Sequence, residues 1–249
     1  MSGRILFVSD VHLRREGAPG AAARADRFFG FLAGAAAAGA TDVYVLGDLF
    51  DYWLEPRGIV PAPLVAACER LRALVARGLR IVALPGNRDF LMGRAFARAT
   101  GAELAPDEIV LTLGAQRVCL LHGDALMLGM TRYRTWRRLS RGATFRRYAR
   151  GLPPALVEAT ARLMRRYSER TKRRAPSAGV LLEDAPIVRR IRSGIDCIVA
   201  GHTHRPEERA VRWGDREGRL LVLGAWDSGR GAHAEWDGAR LALVRGESG

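Results

Sequence analysis

Seven side chains able to hold a divalent cation stand at the ends of five short apolar runs. Asp10 and His12 follow residues 5–9, Asp48 follows 42–46, Asn87 follows 80–84, His122 follows 117–121, and His202 with His204 follow 195–200. Taken singly, the Asp reads equally well as a helix cap and the Asn as a turn residue, and the His202/His204 pair as two surface histidines. A sheet that needed only turn residues would have little use for imidazole at four such positions, so the set points to a metal centre. At His202 and His204, side chains at i and i+2 of extended backbone project the same way and converge on one place. Gly201 lets the chain turn there, and Pro206 stops the following residues from continuing a ladder. The fifth histidine, His233, lies in a Gly-rich loop and reads as a solvated surface residue.

Imidazole, carboxylate and amide oxygen without thiolate suit Mn²⁺, Fe²⁺ or Zn²⁺. Seven donors exceed the need of one such ion and match two that share a bridging carboxylate. Two ions ~3.5–4 Å apart can acidify water and hold both ends of an in-line displacement at phosphorus. Phosphoester or phosphoanhydride hydrolysis is therefore the reaction class that the donor chemistry implies.

Strand, loop and helix must alternate to bring these ends together. Residues 5–9, 42–46, 80–84, 195–200 and 220–223 read as strands, and 109–113 pairs with 117–121 as a hairpin across Gly114-Ala115. Helices are expected over 22–38, 64–77, 94–100 and 186–192, and a last strand over 239–244. Parallel and antiparallel pairing are mixed, which fits an α/β fold in one domain over 1–249 with an inserted basic helical cap at 130–176.

The formal charge of +14 is concentrated in that insertion: between Arg132 and Arg174 fifteen Arg or Lys face only Glu158 and Glu169. Aromatic and aliphatic residues, Trp136, Phe145, Tyr148, Leu156 and Tyr167 among them, interleave with the arginines as in paired amphipathic helices. A solvated flap, a groove for an acylated anionic substrate docked on an anionic membrane, and a nucleic-acid surface all fit this pattern. Three scattered cysteines in apolar runs, no apolar stretch of eighteen residues and no signal-peptide pattern lead to the expectation of a cytoplasmic protein.

The motif order Asp-x-His (10–12), Gly-Asp-x-x-Asp (47–51), Gly-Asn-x-Asp (86–89), His-Gly-Asp (122–124) and Gly-His-x-His (201–204) resembles the calcineurin-like metallophosphoesterases. Within them, the surrounding residues 8–13, 46–51, 86–91, 201–206 and 223–226 are similar to the UDP-2,3-diacylglucosamine pyrophosphatases of lipid A biosynthesis. The resemblance implies a four-layer α/β/β/α sandwich with two metal ions, usually Mn²⁺. It assigns Asp10, His12 and His204 to one ion, Asn87, His122 and His202 to the other, and Asp48 to the bridge. It also implies UMP and 2,3-diacylglucosamine 1-phosphate as products, at the cytoplasmic face of the inner membrane and without a stable nucleic-acid partner.

Catalytic roles are expected for Asp48, Asn87 and Arg88, and substrate contacts for Arg88, Asp124, Ser168, Lys172 and Trp226. Arg88 stands where many relatives carry a histidine. Arginine stays charged at neutral pH and cannot serve as a general acid, but it can clamp a phosphate leaving group that departs unprotonated. The other reading of Arg88 is a surface ion pair with Asp89. The chain departs from the family after His-Gly-Asp, where 125–130 are apolar rather than acidic, and in the cap, where an Arg-rich run leaves Ser168, Lys172 and Ser177 as loose counterparts. Another nucleotide-linked pyrophosphate or a phosphodiester, and less directly a nucleolytic role, therefore stand beside the lipid substrate as alternatives.

Overall fold

Alternate residues of the central strands face different neighbours, and that alternation sets the layers. β1 (Arg4–Val8) turns Leu6 and Val8 to one side and Ile5 and Phe7 to the other, and all four are fully buried. β2 (Ala40–Leu46) divides in the same way into Val43 and Val45 against Tyr44 and Leu46, and β3 (Arg80–Leu84) into Ile81 and Ala83 against Val82 and Leu84. A strand buried on both faces reads as a continuous apolar run, as these do. The computed structural model describes residues 3–127, 139, 141–151, 153, 156, 182–227, 229 and 231–246.

β1, β2, β3 and the short β4 (Glu103–Leu104) run parallel. Antiparallel β10 (His233–Trp236) and β11 (Leu241–Val244) complete this six-stranded sheet in the order β11-β10-β1-β2-β3-β4. The second sheet, order β5-β6-β7-β9-β8, contains β5 (Glu108–Leu113), β6 (Gln116–Leu121), β7 (Cys197–Ala200), β8 (Glu207–Trp213) and β9 (Arg216–Val222). The β5–β6 hairpin forms where expected, with Leu113 opposite Gln116.

The two sheets close on each other through Ile5, Phe7, Tyr44, Leu46, Val118, Leu120, Cys197, Val199 and Leu221. The outer face of the first sheet is covered by α1 (Ala21–Ala37), α2 (Val65–Ala76) and α3 (Arg94–Thr100), which contribute Phe28, Leu32, Leu71 and Phe96. Ile187 and Ile191 of α5 (Asp184–Arg192) cover the outer face of the second sheet, against Cys119, Leu121, Ile198 and Ala200. The result is the four-layer α/β/β/α arrangement with mixed sheets.

Two sequence expectations need correction. Pro206 does not end the sheet: it closes the turn after His204, and β8 begins at Glu207 and pairs antiparallel with β9. That strand escapes the apolar pattern because it is an edge, with Glu207, Glu208, Arg212 and Trp213 all exposed. His233 is not a solvated loop residue: it opens β10, is 4% exposed, and its ring lies 4.8 Å edge-on from that of Phe31.

Part of the cap is described. α4 (Ala143–Gly151) rests on the body through Phe145 and Ala149, beside Tyr52, Leu54 and Leu91, with Phe145 6.4 Å from the ring of Phe90. Ser168 and Lys172 lie outside the described residues. Among the described residues no helix is long and apolar enough to cross a membrane.

Candidate metal centre

The parallel strands β1, β2 and β3 of one sheet and β6 and β7 of the other end at the same rim, and each delivers its polar residue there. Among the described residues six non-glycine residues have positive φ: Asp10, His12, Asp48, His202, His204 and Arg57. Five of these six belong to the expected ligand set. A left-handed non-glycine residue costs about 1–2 kcal/mol, and such strain concentrated at one rim marks a functional site.

Two groups of donors form. In the first, His12 Nε2 lies 3.2 Å from His204 Nε2, and Asp10 Oδ1 lies 3.4 Å from His204 Nε2 and 3.9 Å from His12 Nε2. In the second, Asn87 Oδ1 is 2.8 Å from His122 Nε2 and 3.1 Å from His202 Nδ1, and the two imidazole nitrogens are 3.1 Å apart. Asp48 stands between them, with Oδ2 3.9 Å from His12 Nδ1 and Oδ1 3.8 Å from His122 Nε2. His202 and His204 thus face different groups. Both sit beyond the end of β7 with φ of 74° and 62°, so the extended i, i+2 projection does not apply, and the left-handed turn separates them.

The donors fit a cation. His122 Nδ1 lies 2.9 Å from the Leu46 carbonyl oxygen, which can only accept, so Nδ1 carries a proton and Nε2 is the nitrogen turned to Asn87 Oδ1. Burial lowers His122, but the Asp48 and Asp10 carboxylates outweigh it and hold the imidazole above its ordinary range, so a cation at Nε2 would take the place of a proton. Asp10 Oδ1 is buried without a hydrogen-bond partner, which is costly unless an ion takes it. Asp10, His12 and His204 form one candidate ligand cluster, and Asp10, Asp48 and His122 another.

Residues 3–206 match the family model of the calcineurin-like phosphoesterases. A protein from Pseudomonas savastanoi pv. phaseolicola named UDP-2,3-diacylglucosamine hydrolase is 36% identical over 228 residues, covering 90% of this chain and 88% of its own. A protein of the same name from Pseudomonas fluorescens is 37% identical over 227 residues, with 90% and 88% covered. The solved phosphoesterase Yfce from E. coli aligns over 98% of both chains at 18% identity and a TM-score of 0.47. The chain belongs to the calcineurin-like phosphoesterases.

Membership in the calcineurin-like phosphoesterases implies divalent metal ions, and the donors above are where this member would take them. The candidate donors differ in protonation. Burial, with the charge of Arg88, drives His12 well below the ordinary imidazole range, and burial with His122 brings His202 down to about 4, so both are neutral at pH 7. Burial opposes ionisation of Asp10, but the neighbouring His204, His122 and His12 imidazoles outweigh it and hold the carboxyl low. Asp48 is pushed up to about 7, chiefly by burial, although His122 and Arg88 pull the other way.

The loops around the ligands are fixed by the backbone. Asp89, fully buried, accepts N–H bonds from Gly86, Asp48 and Phe50 at 2.8, 3.2 and 3.3 Å, which ties the Asp48 and Asn87 loops together. It is therefore not the ion-pair partner of Arg88. Arg88 donates its backbone N–H to Asp48 Oδ1 at 2.9 Å, its guanidinium pairs with Asp51, and its Nε lies 3.6 Å from Asp48 Oδ2. A Cβ at Gly86 would collide with the Asp48 carboxylate, and one at Gly201 with Ser9 Oγ and the Asp10 carboxylate. Only glycine permits these approaches.

Two expected substrate contacts are corrected. Trp226 is 1% exposed, wedged 5.2 Å from the rings of both Phe28 and Phe31, so it is a core residue and offers no face to a ligand. The Asp124 carboxylate, 1% exposed, is paired at 3.1 Å with Arg141, which also donates to the Gly86 carbonyl and meets Asp107. The Asp124 carboxylate is thus taken up by Arg141, which joins the loop after β6 to the loop after β3, instead of facing open space. Arg141, Arg24 and Asp227 were not singled out from sequence, since nothing local distinguishes one Arg or Asp from its neighbours. Each has a partner far along the chain.

Proposed function

We propose that this chain is a dinuclear-metal hydrolase that cleaves the pyrophosphate of UDP-2,3-diacylglucosamine. The observation that carries the reading is the pair of donor groups with Asp48 between them and Arg88 beside them, in a chain 36% and 37% identical to two proteins of that name. Asp10, His12 and His204 would hold one ion and Asn87, His122 and His202 the other, with Asp48 between. When bound, the ions, Mn²⁺ in this proposal, supply charge to phosphoryl oxygens and acidify water.

Water adds to the nucleotide-side phosphorus, and the bond from that phosphorus to the bridging oxygen breaks. UMP takes the oxygen of water, and 2,3-diacylglucosamine 1-phosphate keeps the bridging oxygen as its own. Arg88 stabilises the charge that accumulates on this leaving phosphate and donates no proton to it. The arginine-rich cap and the exposed apolar Ile59, Leu139 and Leu156 support an acylated substrate presented at an anionic membrane surface.

The test is turnover with added Mn²⁺ on UDP-sugars with and without acyl chains, free and in anionic or neutral vesicles, with Asp48→Ala as the blank. UMP release confined to acylated substrates, and fastest on anionic vesicles at low salt, is expected. Activity only on unacylated sugars would overturn the lipid assignment.

A further inference from the structure

His204 presents Nε2 to Asp10 and His12, which leaves Nδ1 facing away from the donor cluster. There it meets Asp227 Oδ2 at 3.4 Å, and the other oxygen of the same carboxylate is 3.0 Å from Arg24 Nη2. Arg24, on α1 and 7% exposed, donates from Nη1 to the backbone carbonyl of His12 at 3.2 Å. The chain of contacts therefore begins and ends on two members of one donor group. Asp227 is delivered to this place by its neighbour: the Trp226 ring is locked among the aromatics of α1, and the backbone N–H of Trp226 donates to the Asp10 carbonyl at 3.2 Å.

We infer that Asp227 is a positioning residue for the half-site formed by Asp10, His12 and His204, with Arg24 as its anchor. The inference rests on the reading above that these three hold an ion. A carboxylate accepting from Nδ1–H fixes the tautomer in which Nε2 carries the lone pair, sets the plane of the ring and raises its basicity towards a cation. Arg24 restrains the carboxylate and the His12 backbone together, so ring and backbone share one reference. A simple surface ion pair between Arg24 and Asp227 would need neither the His204 contact nor the His12 carbonyl.

Ion binding to full-length, metal-stripped protein tests this without recourse to activity. Wild type titrated with Mn²⁺ by calorimetry, with bound ions counted by elemental analysis, is expected to take two. Asp227→Ala is expected to weaken one of them ~10–100-fold and leave the other unchanged. Asp227→Asn, which keeps an acceptor for Nδ1–H but no charge, is expected to fall between. Asp227→Ala that binds both ions with wild-type affinity, including one whose only change is the unfolding midpoint of the metal-free protein, overturns the inference and leaves the function reading standing. Wild type that takes up no ion overturns both.

Discussion

Arg88 touches Asp48 through its backbone and lies against it with its guanidinium, while Asp51 holds the other side. A permanent cation so placed favours a leaving group that departs as an anion, and a histidine there would favour one that must be protonated. Arg88→His is therefore expected to lower kcat/KM on a pyrophosphate substrate while raising it on a diester with an alkoxide leaving group. The ratio should move by ~10² or more, since a fixed donor and a general acid each contribute on that scale. Steady-state kinetics on the two substrates measure it, and an unchanged ratio would show that Arg88 does not act on the leaving group.

Short elements around the rim depend on partners supplied from elsewhere in the chain. α3 begins at Arg94 after Gly93, which has no side chain to cap it. Glu55, 3% exposed, reaches in from the loop after β2 and accepts from the N–H groups of Gly93, Ala95 and Phe96 at 2.7, 3.3 and 2.9 Å, and from the Trp53 indole at 3.3 Å. A carboxylate at a helix N-terminus meets both the unpaired donors and the positive end of the dipole. Glu55→Ala leaves those donors buried, so a loss of about 3 kcal/mol in unfolding free energy is expected, read as a lower urea midpoint at constant m. A loss under ~1 kcal/mol would mean that α3 does not rely on Glu55.

Across the molecule, the three cysteines report on three different interfaces. Cys68 lies under the helices of the first sheet, Cys197 between the sheets, and Cys119 beneath α5. Burial pushes each thiol up to about 12, so the reactive thiolate is scarce at pH 8 and shielded as well. The native protein is expected to resist a thiol reagent, and peptide mapping after labelling in increasing urea should show all three cysteines reacting at one midpoint. That outcome follows if 1–249 folds as a single unit, and separate midpoints would divide it.

The sequence by itself determined the donor chemistry and the alternation of strand and helix, and the four layers came from its motif resemblance. Ligand types at strand ends and apolar runs are properties of neighbouring residues, and local pattern carries them. His12 and His204, 192 positions apart, meet only when the two sheets pack rim to rim, and Asp227, Arg24 and Arg141 acquire their roles from the same packing. His233 reads as exposed from its Gly-rich stretch until α1 and the first sheet close over it, and the same packing takes Trp226, expected as a substrate contact, into the core. The motif resemblance already separates His202 from His204, but only the tertiary structure supplies the reason: left-handed backbone after β7, not the spacing of two histidines, aims their rings at different donor groups.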